Sequence, residues 1–189
     1  MFDRLYNDHL SCFQCLPRIK NAIVAAGEAF TRAIDNGNRI FVCGNGGSAA
    51  DAQHFSAEIV GRFNKERRAW PAIALSTNSS ILTAVANDYS YDDIFARQLE
   101  GLASEGDMLL GISTSGNSAN VIKAVARARE MKIASITLLG KSGGKLNGFS
   151  DQSILIPYEN TARIQEAHIF ILHVWAEMIE TALTGGPVL

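Results

Sequence analysis

The chain has 189 residues, of which 47% are hydrophobic and 19% charged, and its formal net charge is −2 at pH 7. This size and composition predict one globular domain with a well-buried core, and the charge excludes a general attraction to nucleic acid or to an anionic membrane. The opening residues lack a basic stretch followed by an apolar run, and no segment reaches the roughly 20 uninterrupted apolar residues of a membrane span, so we expect a cytoplasmic protein.

An N-terminal helical region is the first predicted element. Apolar residues recur at helical spacing over residues 2–35, and Gly37 supplies a stop. Within this region His9, Cys12 and Cys15 stand three residues apart and could be metal ligands, but no second cysteine pair completes a structural zinc site. We favour a helix face packed against a partner. The odd total of three cysteines is typical of a reducing compartment.

Five short apolar runs follow, with helical stretches between them. They are too short and too continuously apolar for free-standing helices, so they are predicted as buried strands at 39–43, 72–75, 108–112, 134–138 and 153–156. The alternation predicts a doubly wound, five-stranded parallel sheet between two layers of helices, an α/β three-layer sandwich of the flavodoxin type. Ligand sites in such a sheet lie at the carboxyl ends of the strands.

A long apolar helix is predicted near the end of the sequence. It starts at Asn160 or Thr161 and runs to about Leu183, with the Gly-Gly-Pro of residues 185–187 as its stop. Apolar residues cover much of its circumference. This pattern predicts a helix buried on more than one side and suggests a subunit interface.

Two glycine- and serine-rich turns, residues 44–48 and 113–118, each follow a predicted strand and open into a helical segment. Glycines let the backbone approach a ligand closely, and a helix N-terminus directs free N–H groups at an anion, so both turns are typical of phosphate binding. Neither matches a P-loop or G-x-G-x-x-G over its full length, which favours a sugar phosphate over ATP or NAD. Ser48 is predicted as the N-cap of the helix after the first turn.

Side chains suited to proton transfer or metal binding lie on two of the predicted helices. His54 and Glu58 are four residues apart and so share one helical face. On the last helix Gln165 can share a site with either His168 or His173, and the spacing does not choose between the histidines. Imidazole and carboxylate ligands suit zinc, although a solvated pair on a helix face would show the same His54–Glu58 spacing.

Three weaker features could also contact a ligand. Arg62 lies close enough to the Glu58 face to reach an anion, whereas the mixed-charge residues 65–68 are expected to be solvated. Asn87 and Asp88 end a short predicted helix. They could bind sugar hydroxyls, and an ordinary capping role at the end of that helix is as consistent with the pattern.

Four segments, in this order, resemble the phosphoheptose isomerase family of the sugar isomerase (SIS) domain superfamily: residues 43–58, 84–98, 109–124 and 162–173. The resemblance covers nearly the whole chain. It implies a single SIS domain over residues 1–189, with residues 1–36 as a helical segment packed on the core and on neighbouring subunits. It also implies a homotetramer with active sites at subunit boundaries and one zinc ion per subunit.

The same resemblance implies a reaction, the conversion of sedoheptulose 7-phosphate to D-glycero-D-manno-heptose 7-phosphate on the route to lipopolysaccharide heptose. It implies Glu58 as the base and His173 as the acid, with a packing or hydrogen-bonding role for His168. The implied metal cluster is His54, Glu58, Gln165 and His173. Resemblance and residue patterns together predict these substrate contacts: Asn45, Gly46, Gly47, Ser48, Glu58, Arg62, Asn87, Asp88, Ser113, Thr114, Ser115, Ser118 and Gln165.

The alternatives are proteins of the same fold that do not catalyse a reaction. One paralogous group is a tetrameric adaptor that binds the replication initiator DnaA, and a sugar-phosphate sensor is a second possibility. The adaptor group lacks a carboxylate at the position of Glu58 and has a changed glycine turn. This chain keeps Glu58 together with Gly46 and Gly47, which favours an isomerase. One small departure from the family is Ala162, where some relatives carry an acidic residue.

Overall fold

A computed structural model describes residues 1–185. It contains the helices α1 (Phe2–Phe13), α2 (Lys20–Asp35), α3 (Gly47–Val60), α4 (Ser79–Asp88), α5 (Ile94–Leu102), α6 (Ala119–Glu130) and α7 (Thr161–Leu183). The strands are β1 (Ile40–Gly44), β2 (Ala72–Ala74), β3 (Met108–Ser113), β4 (Ala134–Gly140) and β5 (Gln152–Ile156). All five predicted strands and both long helical regions form, with bounds within two residues of the prediction. Residues 186 and 187 of the predicted stop lie outside the described part of the chain.

The five strands form one parallel sheet in the order β2-β1-β3-β4-β5, which confirms the predicted fold. The direction of winding reverses between β1 and β3, and a crevice opens at such a point beyond the carboxyl ends of the strands. Gly44 at the end of β1 pairs with Ile112 near the end of β3. Because of this register, the two glycine-rich turns begin side by side at the crevice.

Helices cover both faces of the sheet, and each face has its own apolar core. Successive residues of a strand point to opposite faces, so β1 gives Ile40 and Val42 to the core beneath α2, α3 and α7. Phe41 and Cys43 belong to the core beneath α5 and α6. Burial on both faces explains why the strands read as continuous apolar runs rather than as alternating ones.

Trp175 of α7 is central to the first core. It is fully buried, and its indole N–H donates to the carbonyl of Ile23 on α2 at 2.8 Å. Its ring contacts Phe30 of α2 edge-on at 5.1 Å and Phe55 of α3 at 6.4 Å between ring centroids. The last helix is thereby fixed against both α2 and α3, so the side chains of α3 and α7 have a defined relative position.

The first helix packs along α7. Cys12 is fully buried with its thiol at 3.5 Å from the carbonyl of Arg163, and burial raises the pKa of this thiol to about 11. His9 Nδ1 lies 2.7 Å from Glu166 Oε2. These contacts pack α1 against α7 of the same chain, and packing of this segment against a neighbouring subunit stays a prediction. In the span from residue 1 to residue 185, no helix has both the length and the hydropathy that crossing a membrane requires.

The charged loop after α3 differs from its prediction, because Arg67 is not solvated. Its side chain is 3% exposed, and its Nε donates to Glu180 of α7 at 3.0 Å. Glu180 also accepts backbone N–H groups of Phe63, Asn64 and Lys65 at 2.6–2.9 Å. Burial opposes ionisation of Glu180, but these four hydrogen bonds outweigh it and hold its pKa below the ordinary value. An ion pair with every partner satisfied can be buried, and local charge pattern does not reveal it.

Candidate active site at the carboxyl ends of the strands

The first glycine-rich turn leads from β1 into α3. Gly46 has φ +56°, in the left-handed region that suits glycine, and it is the N-cap of the helix. The prediction of Ser48 as the N-cap was therefore wrong. The glycine conformation lets the chain enter the helix two residues earlier, and Ser48 lies buried within the first helical turn.

Three of the predicted catalytic and metal residues meet where α3 and α7 pack together. His54 Nε2 lies 3.2 Å from Glu58 Oε1 and 2.8 Å from His173 Nε2, although 119 residues separate the two histidines. The ring of Phe63, from the loop after α3, lies 5.7 Å from the His173 ring. The side chains of His54 and Glu58 are 43% and 23% exposed, so this cluster is open to a ligand from solvent.

The two histidines of α7 lie in different environments. Gln165 of α7 lies beside the first glycine-rich turn. Its side-chain amide is so close to Gly47 that a Cβ on residue 47 would collide with it. His168 instead is fully buried, with Nε2 at 3.1 Å from the carbonyl of Leu139. Burial lowers the pKa of His168 to about 4 against the opposing effect of that hydrogen bond. His168 therefore has the packing and hydrogen-bonding role implied for it, and it does not face His54.

The donor set of this cluster suits zinc, which takes imidazole nitrogen and carboxylate oxygen. The Nε2 atoms of His54 and His173 point at the same space, and at 2.8 Å one nitrogen carries the hydrogen and the other accepts it. As a metal ligand each of the two nitrogens must instead be free of hydrogen. Throughout residues 1–185, no three His, Cys, Asp or Glu side chains are already arranged to hold a metal ion. Zinc stays a prediction.

Asp51 is a neighbour of this cluster that sequence reasoning missed. It lies one helical turn before His54, and its Oδ2 is buried without a hydrogen-bond partner among the described residues. Burial raises the pKa of this carboxyl to about 6, and the proximity of His54 opposes the shift. The spacing of three residues from His54 was the available signal, since it puts both residues on neighbouring parts of one helix face.

The second glycine-rich turn connects β3 to α6. Ser113 Oγ and Ser118 Oγ are 3.0 Å apart, and Ser118 is the N-cap of α6. Thr114 and Ser115 between them are half-buried. The loop 141–146 packs against this turn and donates a backbone N–H to it at 3.0 Å. Hydroxyl groups and the free N–H groups of a 12-residue helix are thus directed to one place, which is an arrangement suited to an anion.

A reciprocal pair of amide side chains joins the first turn to the start of α6, directly after the second turn. Asn45 Nδ2 donates to Asn120 Oδ1 at 2.8 Å, and Asn120 Nδ2 donates to Asn45 Oδ1 at 2.9 Å. The Tyr91 hydroxyl also donates to Asn45 Oδ1, at 3.2 Å. Asn45 was among the predicted substrate contacts, whereas Asn120 and Tyr91 were missed. No local pattern identifies them, because the amide pair spans 75 residues.

The remaining predicted contacts lie at the periphery. Arg62 is exposed, and its closest charged partner is Glu66 at 3.8 Å. Asn87 and Asp88 are exposed at the end of α4, where the Asn87 amide donates to the neighbouring carboxylate at 2.9 Å. The structure brings neither Arg62 nor the Asn87–Asp88 pair to the His54–Glu58–His173 cluster. Their roles in substrate binding stay predictions.

Known proteins resemble this chain over nearly its whole length. Residues 10–140 match the SIS domain family. The phosphoheptose isomerase of Halorhodospira halophila is 48% identical over 188 residues, which is 97% of this chain and 95% of that protein. The solved structure of a phosphoheptose isomerase from Neisseria gonorrhoeae is 40% identical with a TM-score of 0.90, covering 95% of this chain and 97% of that one. The chain belongs to the SIS domain family and, within it, to the phosphoheptose isomerases.

Proposed function

We propose that this enzyme converts sedoheptulose 7-phosphate to D-glycero-D-manno-heptose 7-phosphate. The observation that supports this most directly is that Glu58 and His173 both lie within 3.2 Å of one atom, His54 Nε2, on the helix that follows a glycine-rich turn. An aldose–ketose isomerisation requires a base and an acid, and a carboxylate and an imidazole can fill these two roles. The relatives with the matching name support the same reaction.

The chemistry assigns one role to each group. A ketose becomes an aldose when one proton is transferred from C1 to C2 through an enediol, while a second proton is transferred from the C1 hydroxyl to the C2 oxygen. Glu58 is the base that carries the proton between the carbons, and His173 is the acid that protonates the C2 oxygen. A properly placed acid or base contributes about 10² to 10⁴ in rate.

The second glycine-rich turn is the proposed site for the terminal phosphate. The hydroxyls of Ser113 and Ser118, with those of Thr114 and Ser115 between them, surround the N-terminus of α6. An anion held there fixes the far end of the sugar, so that its first two carbons are presented to Glu58 and His173 in one orientation.

We propose that His54, Glu58, Gln165 and His173 hold one zinc ion per subunit. When bound, zinc supplies a Lewis acid that polarises the substrate carbonyl. Because a side chain that binds a metal tightly is a poorer proton carrier, one of these ligands would be displaced from the ion during turnover. Titration calorimetry with zinc chloride tests this: one site is expected in the parent and none in His54→Ala, and a variant that binds like the parent would contradict it.

We also propose a homotetramer with its active sites at subunit boundaries. Two exposed apolar surfaces support it: the stripe of Phe2, Tyr6 and Leu10 along α1, and a groove of about 530 Å³ between α2 and α7 lined by Val24 and Met178 among others. A second copy of the chain would cover both. Sedimentation should give four times the monomer mass, and a monomer would contradict the proposal. The heptose phosphate would then enter the synthesis of lipopolysaccharide heptose.

An isomerase assay on sedoheptulose 7-phosphate, with and without added zinc, tests the reaction. The parent should turn over, and Glu58→Gln and His173→Ala should each lose about 10²-fold or more. Glu105→Gln is the matched control, since this carboxylate is exposed in the turn before β3 and should leave the rate unchanged. A folded, metal-loaded parent without turnover would contradict the proposed function.

A further inference from the structure

Asn120 has no assigned role, yet its environment is unusual for an amide. It is 2% exposed at the second position of α6, and its amide exchanges two hydrogen bonds with Asn45 of the other turn. A buried amide has few ways to satisfy its hydrogen-bonding groups, so a neighbour that offers both a donor and an acceptor fixes its orientation. These two hydrogen bonds are the only direct side-chain hydrogen bonds between the first turn and the start of α6 in the described residues.

Counting donors and acceptors on Asn45 shows what this pairing does. Its Oδ1 has two lone pairs, and Asn120 Nδ2 and the Tyr91 hydroxyl use both of them. Its Nδ2 has two hydrogens, of which Asn120 Oδ1 accepts one. One N–H is therefore left over. Asn45, itself half-buried at the mouth of the first turn, can offer a ligand a donor and nothing else.

We propose that Asn120 is a positioning residue that fixes the amide of Asn45, so that this one N–H is directed at a sugar oxygen of the substrate. The inference rests on the proposed function and deepens it. Because Asn120 lies on α6, whose N-terminus is the proposed phosphate site, the position of the donor is set relative to the phosphate. The distance between these two substrate contacts would then help to select the length of the sugar.

A double-mutant cycle separates this role from a merely structural one. Asn45→Ala and Asn120→Ala should each lower kcat/KM for sedoheptulose 7-phosphate by about tenfold, the scale of one lost hydrogen bond. Both should divide that loss between kcat and KM in the same way, because they disturb one donor. If Asn120 acts through Asn45, adding Asn120→Ala to Asn45→Ala should cost less than about a further twofold.

Two further variants distinguish the loss of this hydrogen bond from a loss of folding. Asn120→Asp keeps the shape and the acceptor but removes the donor to Asn45 Oδ1, and it should lower kcat/KM as Asn120→Ala does. Thr137→Val is the control, since Thr137 is fully buried and its hydroxyl bonds to Ser150 and Ser153, at 2.8 and 3.1 Å, which are not residues of either turn. Its effect on kcat/KM should be small and additive with that of Asn45→Ala.

The outcomes are distinguishable. In an active parent, losses of kcat/KM from Asn45→Ala and Asn120→Ala that multiply in the double variant would overturn the inference. The proposed isomerase activity would not be affected by that result. The same holds if Asn120→Asp retains full kcat/KM. A folded parent that neither turns over sedoheptulose 7-phosphate nor binds it in calorimetry would overturn both proposals together.

Discussion

The helix pair α3 and α7 carries two polar clusters of opposite character. In one cluster Glu180 and Arg67 are 1–3% exposed, and the carboxylate accepts four hydrogen bonds. In the neighbouring cluster His54, Glu58 and His173 are partly open to solvent, and both Glu58 and His173 contact the same nitrogen atom of His54. The first arrangement has no capacity left for a ligand, whereas the second has.

Stability and openness to a ligand are therefore divided between two clusters on one pair of helices. A buried charge is tolerated only when its partners are complete, so the Glu180–Arg67 cluster holds the helices together in one way. Arg67 Nη2 also donates to the backbone carbonyl of Glu58 at 2.7 Å. The satisfied cluster thus fixes the backbone of Glu58, the proposed base. The neighbouring His54–Glu58–His173 cluster can then keep an unsatisfied group beside it, the buried oxygen of Asp51.

The sharpest contrast is expected from Glu58→Gln. This change should lower kcat by about 10² to 10⁴, because the amide cannot take a proton from carbon. The free energy of unfolding should change by less than about 0.5 kcal/mol, since the side chain is partly exposed. Steady-state kinetics and urea unfolding measure the two effects. A large loss of stability would mean that the two clusters do not differ as described.

Glu180→Ala should give the opposite result. It leaves the Arg67 guanidinium and three backbone N–H groups buried without their acceptor, which should cost about 3–5 kcal/mol in unfolding free energy. The exposed Glu177→Ala on the same helix is the matched control and should stay within about 0.5 kcal/mol. Urea unfolding decides between them, and equal losses in both variants would remove the basis of the comparison.

The buried His168 should make the helix pair sensitive to acid. Its folded pKa of about 4 lies below the unfolded value of 6.5, so below pH 6.5 the unfolded chain binds the proton first and stability is lost until about pH 4. The full loss is about 3 kcal/mol. His168→Gln, which can still donate to Leu139, should lose less stability between pH 7.5 and pH 4.5 in urea unfolding. Parallel losses in parent and variant would contradict this.

The smallest effect is expected from Asp51→Asn. The folded pKa of Asp51 is raised to about 6, so the charged form becomes a cost as pH rises from about 4 to 6 and remains one above that. The variant should therefore be more stable than the parent at pH 7.5, by about 1 kcal/mol or less because the group is partly solvated, and the gain should vanish below pH 4. Thermal unfolding at both pH values measures it; a less stable variant at pH 7.5 would show that the carboxylate has a stabilising partner.

Local pattern was sufficient to predict most of the fold. Continuous apolar runs marked β1 and β3 because both faces of the sheet are buried, and the winding reversal then put both glycine-rich turns at one crevice. The bounds of α7 followed from its periodicity and from the N-cap Asn160, whose side chain accepts the N–H of residue 162. The exception was Ser48, since the conformation of Gly46 is not visible in the sequence.

The site was predictable only in part. The four-residue spacing of His54 and Glu58 was correctly read as a shared face, and the resemblance chose His173 where spacing alone could not. Pairings over long separations left no signal of this kind. Arg67 lies 113 residues from Glu180, and a charged loop ordinarily is solvated.

The position of α7 in the chain has a consequence for synthesis. This helix follows all five strands, yet it supplies Gln165 and His173 and fixes α3 through Trp175. During translation every strand is synthesised before His173, the proposed acid. A chain that ends before α7 therefore holds all five strands without the proposed acid–base pair, and the pair is complete only when the last helix docks against α3.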